Sequence, residues 1–288
     1  MPNIIAKAIS TIARTALIPL CATSLKDFFY LVFYSLIRLA AIPLYYLNSD
    51  FYNKFLRAVH NALPDIVIKT KCGRFFCAAG TDSISFALPI YEKELTKFLE
   101  KSFNDGGVFI DAGAHIGRYS IMLGRKFGNR GQVLALEPSP ATFNFLEKNI
   151  KLNNIGNIRA FQNAVLDKNC KANFFVSKES GMNSLFNSPA DGIKIKVSCK
   201  RLDDLVKEKK IFPKDVSLIK IDVEGAPDKV LLGAEEILKK SRAKIIFEAL
   251  DNEELVKCKN ILERFGYKID ENVFDNINFF AEKVDRKI

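Results

Sequence analysis

Acidic side chains follow several short apolar runs of this sequence and are the residues best placed to do chemistry. Asp111 and Glu137 come at the ends of two such runs, and Asp222, Glu224 and Glu248 come at the ends of two more. Carboxylates can accept hydrogen bonds from ribose hydroxyls, attract a cationic ligand, or take a proton from a hydroxyl group. The sequence therefore predicts an acidic site whose parts lie far apart along the chain.

A glycine turn with the sequence DAGAHIG joins an apolar run to a helical pattern at residues 111–117. Gly113 allows a tight turn with positive φ, and Gly117 lets the helix begin close to the sheet. Glu137 ends the next strand, where an acidic residue can accept both ribose hydroxyls of a bound nucleoside. His115 lies inside the turn and is interpreted either as a functional residue, in cofactor contact or proton transfer, or as a loop residue that caps the helix.

Three classes of cofactor bind at turns of this kind in α/β sheets. The turn has the spacing GxxxG instead of the dinucleotide fingerprint GxGxxG, and the chain has no Gly-Lys-Ser/Thr sequence of a P-loop. Asp111 would repel a pyrophosphate, whereas it would favour the ammonium and sulfonium groups of S-adenosylmethionine (SAM). Electrostatics therefore predict SAM as the cofactor.

A second acidic group lies at the ends of two later strands. Asp222 and Glu224 alternate, so they are expected on one face of an extended segment, and Glu248 ends the next strand. We predict that Asp222 or Glu224 takes a proton from an acceptor hydroxyl, with Glu248 as a third catalytic candidate. Two alternatives stay open, namely a divalent cation held by these acids, and helix capping with ion pairs to Lys220 or Lys229.

Strands and helices must position these residues. In the sequence, short apolar strands alternate with helices of roughly 10–15 residues, and this pattern predicts a doubly wound, mostly parallel sheet of seven strands. Strands are predicted at residues 66–68, 74–76, 108–110, 132–136, 158–161, 172–176, 193–198, 216–221, 244–248, 269 and 277–281. Helices are predicted at residues 91–103, 117–127, 140–152, 202–209, 227–238 and 253–265. The loop at residues 180–192 is expected to shape an acceptor pocket.

The first 62 residues differ from the rest and are predicted to form a hydrophobic helical extension to a domain at residues 63–288. The stretch 28–49 carries a single charge, Arg38, which disfavours a membrane-spanning helix because a charge at mid-bilayer costs about 2.5–3.5 kcal/mol. An amphipathic helix at the membrane interface is one interpretation. Packing on the catalytic domain or on a second subunit, as in a homo-oligomer, is the other.

Charge and cysteine content restrict the partners. The formal net charge of +10 is compatible with nucleic acid, an anionic membrane or an acidic substrate, or with solubility alone. The six cysteines form no CxxC pair and the chain has two histidines, so no zinc site is predicted. The cysteines are interpreted as mostly buried thiols, so a cytoplasmic protein is predicted. If the N-terminal segment binds lipid, we expect the protein at the cytoplasmic face of the membrane.

The sequence resembles the FkbM family of SAM-dependent methyltransferases over roughly residues 70–250. The pieces that carry the resemblance, in this order, are Tyr91-Glu92, VFIDAGAHIG at residues 108–117, ALEP at residues 135–138, NAV at residues 163–165, LDDL at residues 202–205 and IKIDVEGA at residues 219–226. The chain departs from the family pattern at Pro227, where an acid is usual, and at His115, where asparagine is common.

The resemblance implies a Rossmann-like class I methyltransferase fold that catalyses O-methylation. It implies SAM contacts at Asp111, Gly113, Gly117 and Glu137, with Asn163 and Ala164 near the adenine. It also implies that the acceptor is a hydroxyl of a sugar or natural product. We therefore predict an acceptor among sugars or glycans, lipid-linked sugars and small hydroxylated metabolites.

Two other functions are weighed against this one. An RNA or protein N-methyltransferase would suit the basic charge, but the chain has Asp222-Val223-Glu224-Gly225 in place of an Asp/Asn-Pro-Pro-Tyr/Phe tetrapeptide, so no specific nucleic acid is predicted. A non-catalytic, membrane-associated binding protein is disfavoured by the retained Asp111 and Glu137.

Overall fold

The computed structural model describes residues 12, 15–103, 106–177, 184–185, 192–270, 274 and 277–284. They form two compact units, Met1–Lys93 and Glu94–Ile288. The predicted boundary at residue 62 stays a prediction, since compactness alone does not identify a folding domain.

The N-terminal unit contains helices and one hairpin. After a 3-10 turn at Ile18–Cys21 come helix α1 (Leu25–Leu47) and helix α2 (Ser49–Ala62), then strands β1 (Ile66–Lys69) and β2 (Arg74–Cys77), and helix α3 (Ser83–Ala87). The two strands pair antiparallel, which confirms the predicted hairpin. Within the described part of the chain, no helix has the length and apolar character needed to cross a bilayer.

Helix α1 has a polar side and an apolar side. Arg38 donates a hydrogen bond to the Tyr34 hydroxyl at 3.1 Å, and that hydroxyl lies 3.0 Å from His60 Nε2. Burial lowers the pKa of His60 to about 4, so this histidine is neutral at physiological pH. Large apolar side chains at positions that share the opposite side are exposed, namely Leu25, Phe29, Phe33 and Leu36.

A seven-stranded sheet forms the centre of the second unit, in the order β11-β12-β10-β9-β3-β4-β5. Its strands are β3 (Gly107–Ala112), β4 (Gly131–Leu136), β5 (Ile158–Phe161), β9 (Val216–Ile221), β10 (Lys244–Glu248), β11 (Tyr267–Asp270) and β12 (Asn278–Lys283). Only β12 runs antiparallel to its neighbours. The predicted mostly parallel sheet of seven strands is therefore confirmed.

The sheet has a switch point between β3 and β9. The chain builds outwards from β3 through β4 to β5, and then returns to the other side of β3 as β9. Loops at the carboxyl ends of two such strands diverge and leave a crevice, which is where ligands bind in open α/β sheets. Asp111 and Asp222 lie at these two carboxyl ends.

Helices connect the strands, and their bounds follow the prediction with one exception. They are α4 (Lys93–Ser102), α5 (Arg118–Phe127), α6 (Pro140–Leu152), α7 (Leu202–Glu208), α8 (Pro227–Leu232), α9 (Glu235–Lys240) and α10 (Asn252–Arg264). The single helix predicted at residues 227–238 is wrong, because it is split into α8 and α9.

Asp203 explains the split. Its carboxylate accepts hydrogen bonds from the backbone N–H groups of Glu236 and Ile237, both at 3.0 Å, and so satisfies the first turn of α9. Gly233 lies between the two helices, where a Cβ atom would come within 2.2 Å of the Leu166 carbonyl oxygen. A side chain from a distant part of the chain thus begins a helix that the local pattern does not separate.

A second, three-stranded sheet lies between β5 and α7 in the chain. Its strands are β6 (Ala164–Val165), β7 (Cys170–Val176) and β8 (Ile193–Lys200), in the order β6-β8-β7. Strands β7 and β8 confirm the predicted β segments, whereas the short strand β6 was not predicted. Most of the 180–192 loop lies outside the described residues, except Ser184, Leu185 and Gly192.

Candidate functional site

The glycine turn after β3 is fixed by close contacts with two neighbouring strand ends. The backbone N–H groups of Gly113 and Ala114 donate to the Leu136 carbonyl at 2.9 and 2.8 Å. The Asp222 N–H donates to the Ala112 carbonyl at 2.9 Å. Gly113 has φ +84°, and a Cβ atom there would come within 1.7 Å of the Asp222 carbonyl oxygen. Only glycine allows the strand ends to approach this closely.

The end of the turn is held against helix α6 and against Glu137. Gly117 has φ +88°, and a Cβ atom there would lie 2.6 Å from Leu146 Cδ1. His115 has φ +51°, an uncommon value for a residue with a side chain, and its N–H donates to Glu137 Oε2 at 3.0 Å. The backbone of His115 therefore orients Glu137, and the two roles considered for its side chain stay predictions.

Glu137 is a buried carboxyl group with a fixed orientation. Its side chain is 5% exposed, and its Oε1 atom accepts from the Ser139 N–H at 2.9 Å. Burial raises the pKa of Glu137 to about 7, against the opposing effect of these two backbone hydrogen bonds. A carboxylate offers about four acceptor positions, so each oxygen can accept one more hydrogen bond from a ligand.

Asp111 has one buried oxygen atom that lacks a hydrogen bond. Its residue is 1% exposed, and Oδ2 accepts from the Ser120 hydroxyl at 2.6 Å. Among the described residues, Oδ1 has no hydrogen-bond partner. Burial raises the pKa of Asp111, while the Lys220 ammonium and the Ser120 hydroxyl act in the opposite direction. A ligand with a cationic donor would satisfy this oxygen.

Lys220 is the buried cation of the site. It lies within β9, opposite Asp111 in the ladder, and is 2% exposed. Its Nζ atom lies 2.6 Å from Asp222 Oδ2 and 5.1 Å from the centre of the Tyr119 ring. The ion pair that sequence analysis left open for Asp222 is therefore formed with Lys220. The central position of Lys220 was not predicted, although a lysine inside an apolar strand is a signal of a buried, paired charge.

Three carboxyl groups come together beside this ion pair. Oxygen atoms of Asp222, Glu224 and Glu248 all lie within 4.8 Å of one another. The reason given from sequence is wrong, because β9 ends at Ile221 and Glu224 has φ +53°, so the segment is not extended. A turn, and not the alternation of a strand, brings Glu224 to the other two acids.

The three acids differ in how readily they ionise. Burial raises the pKa of Glu248 to about 10, aided by the charge of Asp222 and a hydrogen bond to it. The pKa of Asp222 is lowered, because the Lys220 ammonium and the Glu248 hydrogen bond outweigh the effect of burial. Burial and the Asp222 charge raise the pKa of Glu224 to about 7. At neutral pH, Asp222 is ionised, Glu248 is protonated and Glu224 can exchange a proton.

Ser184 joins the 180–192 loop to this cluster. Its hydroxyl donates to the Glu224 carbonyl at 2.6 Å, and its backbone pairs with Phe175 at 2.7 and 3.0 Å. The side chain of Ser184 is buried. The loop is thus connected to the segment that carries Glu224, and no local signal in the sequence indicated this contact.

Asn163 and Ala164, the predicted adenine neighbours, follow β5. The Phe161 carbonyl accepts from the N–H groups of both Glu137 and Asn163, at 3.1 and 2.9 Å, so these residues share one strand end. The Asn163 amide donates to the Ser198 carbonyl at 3.3 Å, and Ala164 pairs with Cys199. Both residues are positioned by the second sheet.

The site as a whole concentrates acidic groups. The described residues place five carboxyl groups at the carboxyl ends of β3, β4, β9 and β10, with one buried ammonium, Lys220, among them. Such an arrangement attracts a cation and repels a phosphate. It can also exchange a proton near neutral pH at Glu137 or Glu224.

Comparison with known protein families gives one match to the described domain. Residues 111–269, more than half of the chain, match the family described as "Methyltransferase FkbM domain". The matched segment includes the glycine turn, Glu137, Lys220 and the three clustered acids.

Individual proteins give weaker similarities. The chain is 28% identical to "Methyltransferase 1" of Beauveria bassiana over 187 residues, 58% of this chain and 74% of that protein. It is 27% identical to "Methyltransferase sdnD" of Sordaria araneosa over 158 residues, 44% of this chain and 60% of that protein. A crystal structure titled methyltransferase FkbM, from Methylobacillus flagellatus, aligns with a TM-score of 0.48 and 14% identity, covering 96% of this chain and 60% of that one.

Replacement of Gly113 by alanine should destabilise the site. The added Cβ atom would overlap the Asp222 carbonyl, and the positive φ adds about 1–2 kcal/mol of strain. We expect the free energy of unfolding to fall by at least roughly 2 kcal/mol in chemical denaturation. Gly156→Ala is the matched control, because its Cβ atom would meet nothing within 4 Å. Equal stability of the two variants would contradict the close contact.

Proposed function

The chain belongs to the FkbM methyltransferase family, and we propose that it transfers a methyl group from SAM to a hydroxyl oxygen of an acceptor molecule. The acceptor classes we propose are a sugar or glycan, a lipid-linked sugar and a small hydroxylated metabolite. The observation that carries the proposal is the buried carboxylate oxygen of Asp111, which has no hydrogen-bond partner within the described part of the chain, in a site with an excess of acidic groups.

The chain's own residues suit each part of SAM. Asp111 would hold a cationic group, since none of the residues that the structure describes donates a hydrogen bond to its Oδ1 atom. Glu137, oriented by two backbone N–H groups, would accept the ribose hydroxyls. Asn163 and Ala164, at the neighbouring strand end, would lie beside the adenine. Gly113 and Gly117 allow the turn to lie directly against the Asp222 carbonyl and Leu146, which positions the turn at the edge of the crevice.

Glu224 is the group we assign as general base. SAM supplies a methyl group that is already activated on a sulfonium sulfur, so the protein mainly has to align an acceptor oxygen and remove its proton. Glu224 is suited to accept that proton, because its pKa of about 7 lies near the pH of the cell. Asp222 is less suited, because it forms an ion pair with Lys220. Glu248 is less suited, because it is protonated at neutral pH and hydrogen-bonded to Asp222.

A divalent cation is the second candidate for the same cluster. Carboxylate oxygens within 4.8 Å of one another are of the type that Mg²⁺ or Ca²⁺ binds. The Lys220 ammonium already neutralises Asp222 at 2.6 Å, which favours the proton-transfer role over the metal role. Turnover that vanishes in EDTA and returns with Mg²⁺ would reverse this preference.

Binding of SAM should release protons. Glu137 and Glu224, each with a pKa of about 7, are partly protonated at neutral pH, and a bound cation would lower both pKa values. We therefore expect the affinity to rise from pH 6 to pH 8. Titration calorimetry in two buffers of different ionisation enthalpy measures the proton release.

S-adenosylhomocysteine, which lacks the sulfonium charge, is the matched control ligand and should release fewer protons. Absence of binding heat with SAM would overturn the proposed function. Equal proton release by the two ligands would overturn the electrostatic argument for it.

Glu224→Gln should lower kcat by roughly 10²–10⁴-fold and leave SAM affinity within a few fold of the original, since the amide cannot accept the proton. Glu253→Gln is the control, because Glu253 is exposed and pairs only with Lys257 among the described ion pairs. Turnover is measured with methyl-labelled SAM and glycan or lipid extracts of a strain that lacks the protein. Mass spectrometry of the labelled product then identifies the acceptor.

Asp222→Asn distinguishes the two acids. It removes the partner of a buried ammonium, so we expect it to lower both protein stability and SAM affinity, unlike Glu224→Gln. Full turnover and normal SAM affinity in both variants would contradict the assignment of the proton-transfer site.

We also propose that the N-terminal unit binds an anionic membrane surface through the exposed side of α1. Leu25, Phe29 and Leu36 are exposed there, and residues 1–60 carry six Lys or Arg against two acidic residues. Exposed apolar side chains in a segment of positive net charge suit the interface of an anionic bilayer. A second copy of this chain is the competing partner of the same surface.

The triple variant Leu25→Ser, Phe29→Ser and Leu36→Ser should reduce co-sedimentation with phosphatidylserine vesicles by at least roughly tenfold, because it removes apolar area from the interface. Phe212→Ser, on an exposed apolar residue of the other unit, is the matched control. Equal pelleting of all proteins would contradict the membrane proposal. A change in oligomeric state, without a change in pelleting, would assign the surface to a second copy.

A further inference from the structure

The second sheet contains two cysteines that are paired across its strands. Cys170 is the first residue of β7 and lies directly opposite Cys199 of β8 in the antiparallel ladder. Their side chains are hydrogen-bonded to each other, and both are free thiols. Among the described strands, no other two cysteines are ladder partners.

The spacing of this ladder suits a disulfide bond. Residues directly opposite each other in an antiparallel pair have Cα atoms about 4.5–5.5 Å apart. A disulfide bond accepts Cα separations of about 4.4–6.8 Å. Cys170 and Cys199 can therefore be joined without a change in strand register.

The two thiols differ in accessibility. Cys199 is 2% exposed, whereas Cys170 is half-buried at the end of its strand, where an oxidant can reach it. Burial, together with the neighbouring Cys170, raises the pKa of Cys199 to about 12, so the Cys199 thiol is protonated at neutral pH. Cys170 is thus the thiol that an oxidant reaches first.

Cys199 is also connected to the segment that we assign to the adenine. Ala164 is its ladder partner on the other side of β8, and Asn163 donates to the carbonyl of the preceding residue, Ser198, at 3.3 Å. The Leu166 N–H donates to the Lys200 carbonyl at 3.1 Å. A displacement of Cys199 would therefore act directly on residues 163–166.

We propose that Cys170 and Cys199 form a reversible disulfide bond in response to hydrogen peroxide, and that this bond weakens the binding of SAM. The second half of this statement rests on the proposed function. Closing the bond brings the two sulfur atoms to about 2.05 Å and fixes the dihedral angle about the S–S bond, which restrains β8 against β7 at the residue that also pairs with β6.

The chemical step balances with hydrogen peroxide as the oxidant. The Cys170 sulfur attacks one peroxide oxygen as its thiol gives up its proton, the O–O bond breaks, and Cys170 becomes a sulfenic acid while the departing hydroxide takes that proton to form the first water. The Cys199 sulfur then attacks the Cys170 sulfur, the S–S bond forms, and the S–O bond breaks. The second hydroxide takes the Cys199 proton, so two thiols and one peroxide give one disulfide and two waters.

The test uses the full chain, reduced or treated with peroxide. Mass spectrometry of a non-reduced digest should find a peptide pair joined at Cys170 and Cys199, and dithiothreitol should remove it. SAM binding, measured by calorimetry, should weaken roughly three- to tenfold after oxidation and recover after reduction, since a loss of one or two backbone hydrogen bonds has an effect of this size.

Two variants make the test specific. Cys170→Ser should abolish both the joined peptide and the response of SAM affinity to peroxide. Cys258→Ala, at a buried cysteine of α10, should keep both responses. Absence of the joined peptide would overturn the proposal, and a joined peptide with unchanged SAM affinity would overturn the link to the site. Absence of SAM heat in the reduced protein would instead reject the proposed function, and the peptide map would still decide whether the disulfide forms.

Discussion

The burial of one ammonium among several carboxyl groups is the interaction on which the site depends. Lys220 lies inside the sheet and pairs with Asp222 at 2.6 Å, facing Asp111 across the ladder. Removing one member of a buried ion pair typically costs about 3–5 kcal/mol, so the two charges require each other. Lys220 stabilises the ionised form of Asp222 in particular. The pKa values of the other acids are therefore raised, and a cationic ligand would favour their ionised forms.

The backbone makes this concentration of charge possible. Gly113 lets the turn after β3 approach the Asp222 carbonyl so closely that no side chain fits between them. The Asp222 N–H donates a hydrogen bond to the Ala112 carbonyl, and the His115 N–H donates one to the Glu137 carboxylate. The carboxyl ends of β3, β4 and β9 are therefore held together by main-chain contacts, and their acidic side chains are brought together against their mutual repulsion.

The second sheet extends the site in a different way. Strand β6 has only two residues, and it connects the end of β5 to β8 through Ala164 and Asn163. Ser184 connects the loop after β7 to Glu224. The two ends of the β7–β8 hairpin thus contact the two regions assigned to the adenine and to proton transfer. A disulfide bond between Cys170 and Cys199 would therefore affect the region where SAM is proposed to bind.

Sequence by itself determined the sheet, the glycine turn and the identity of the acids, because hydrophobic alternation, glycine and strand-end position are local properties. Contacts between distant residues decided the rest. Asp203 separates α8 from α9. The positive φ of Glu224 brings its side chain to Glu248. Burial and neighbouring charges give Asp222, Glu224 and Glu248 different pKa values. A local sequence pattern shows which side chains lie at a strand end. The desolvation and the neighbouring charges that determine the pKa values of those side chains exist only once the chain has folded.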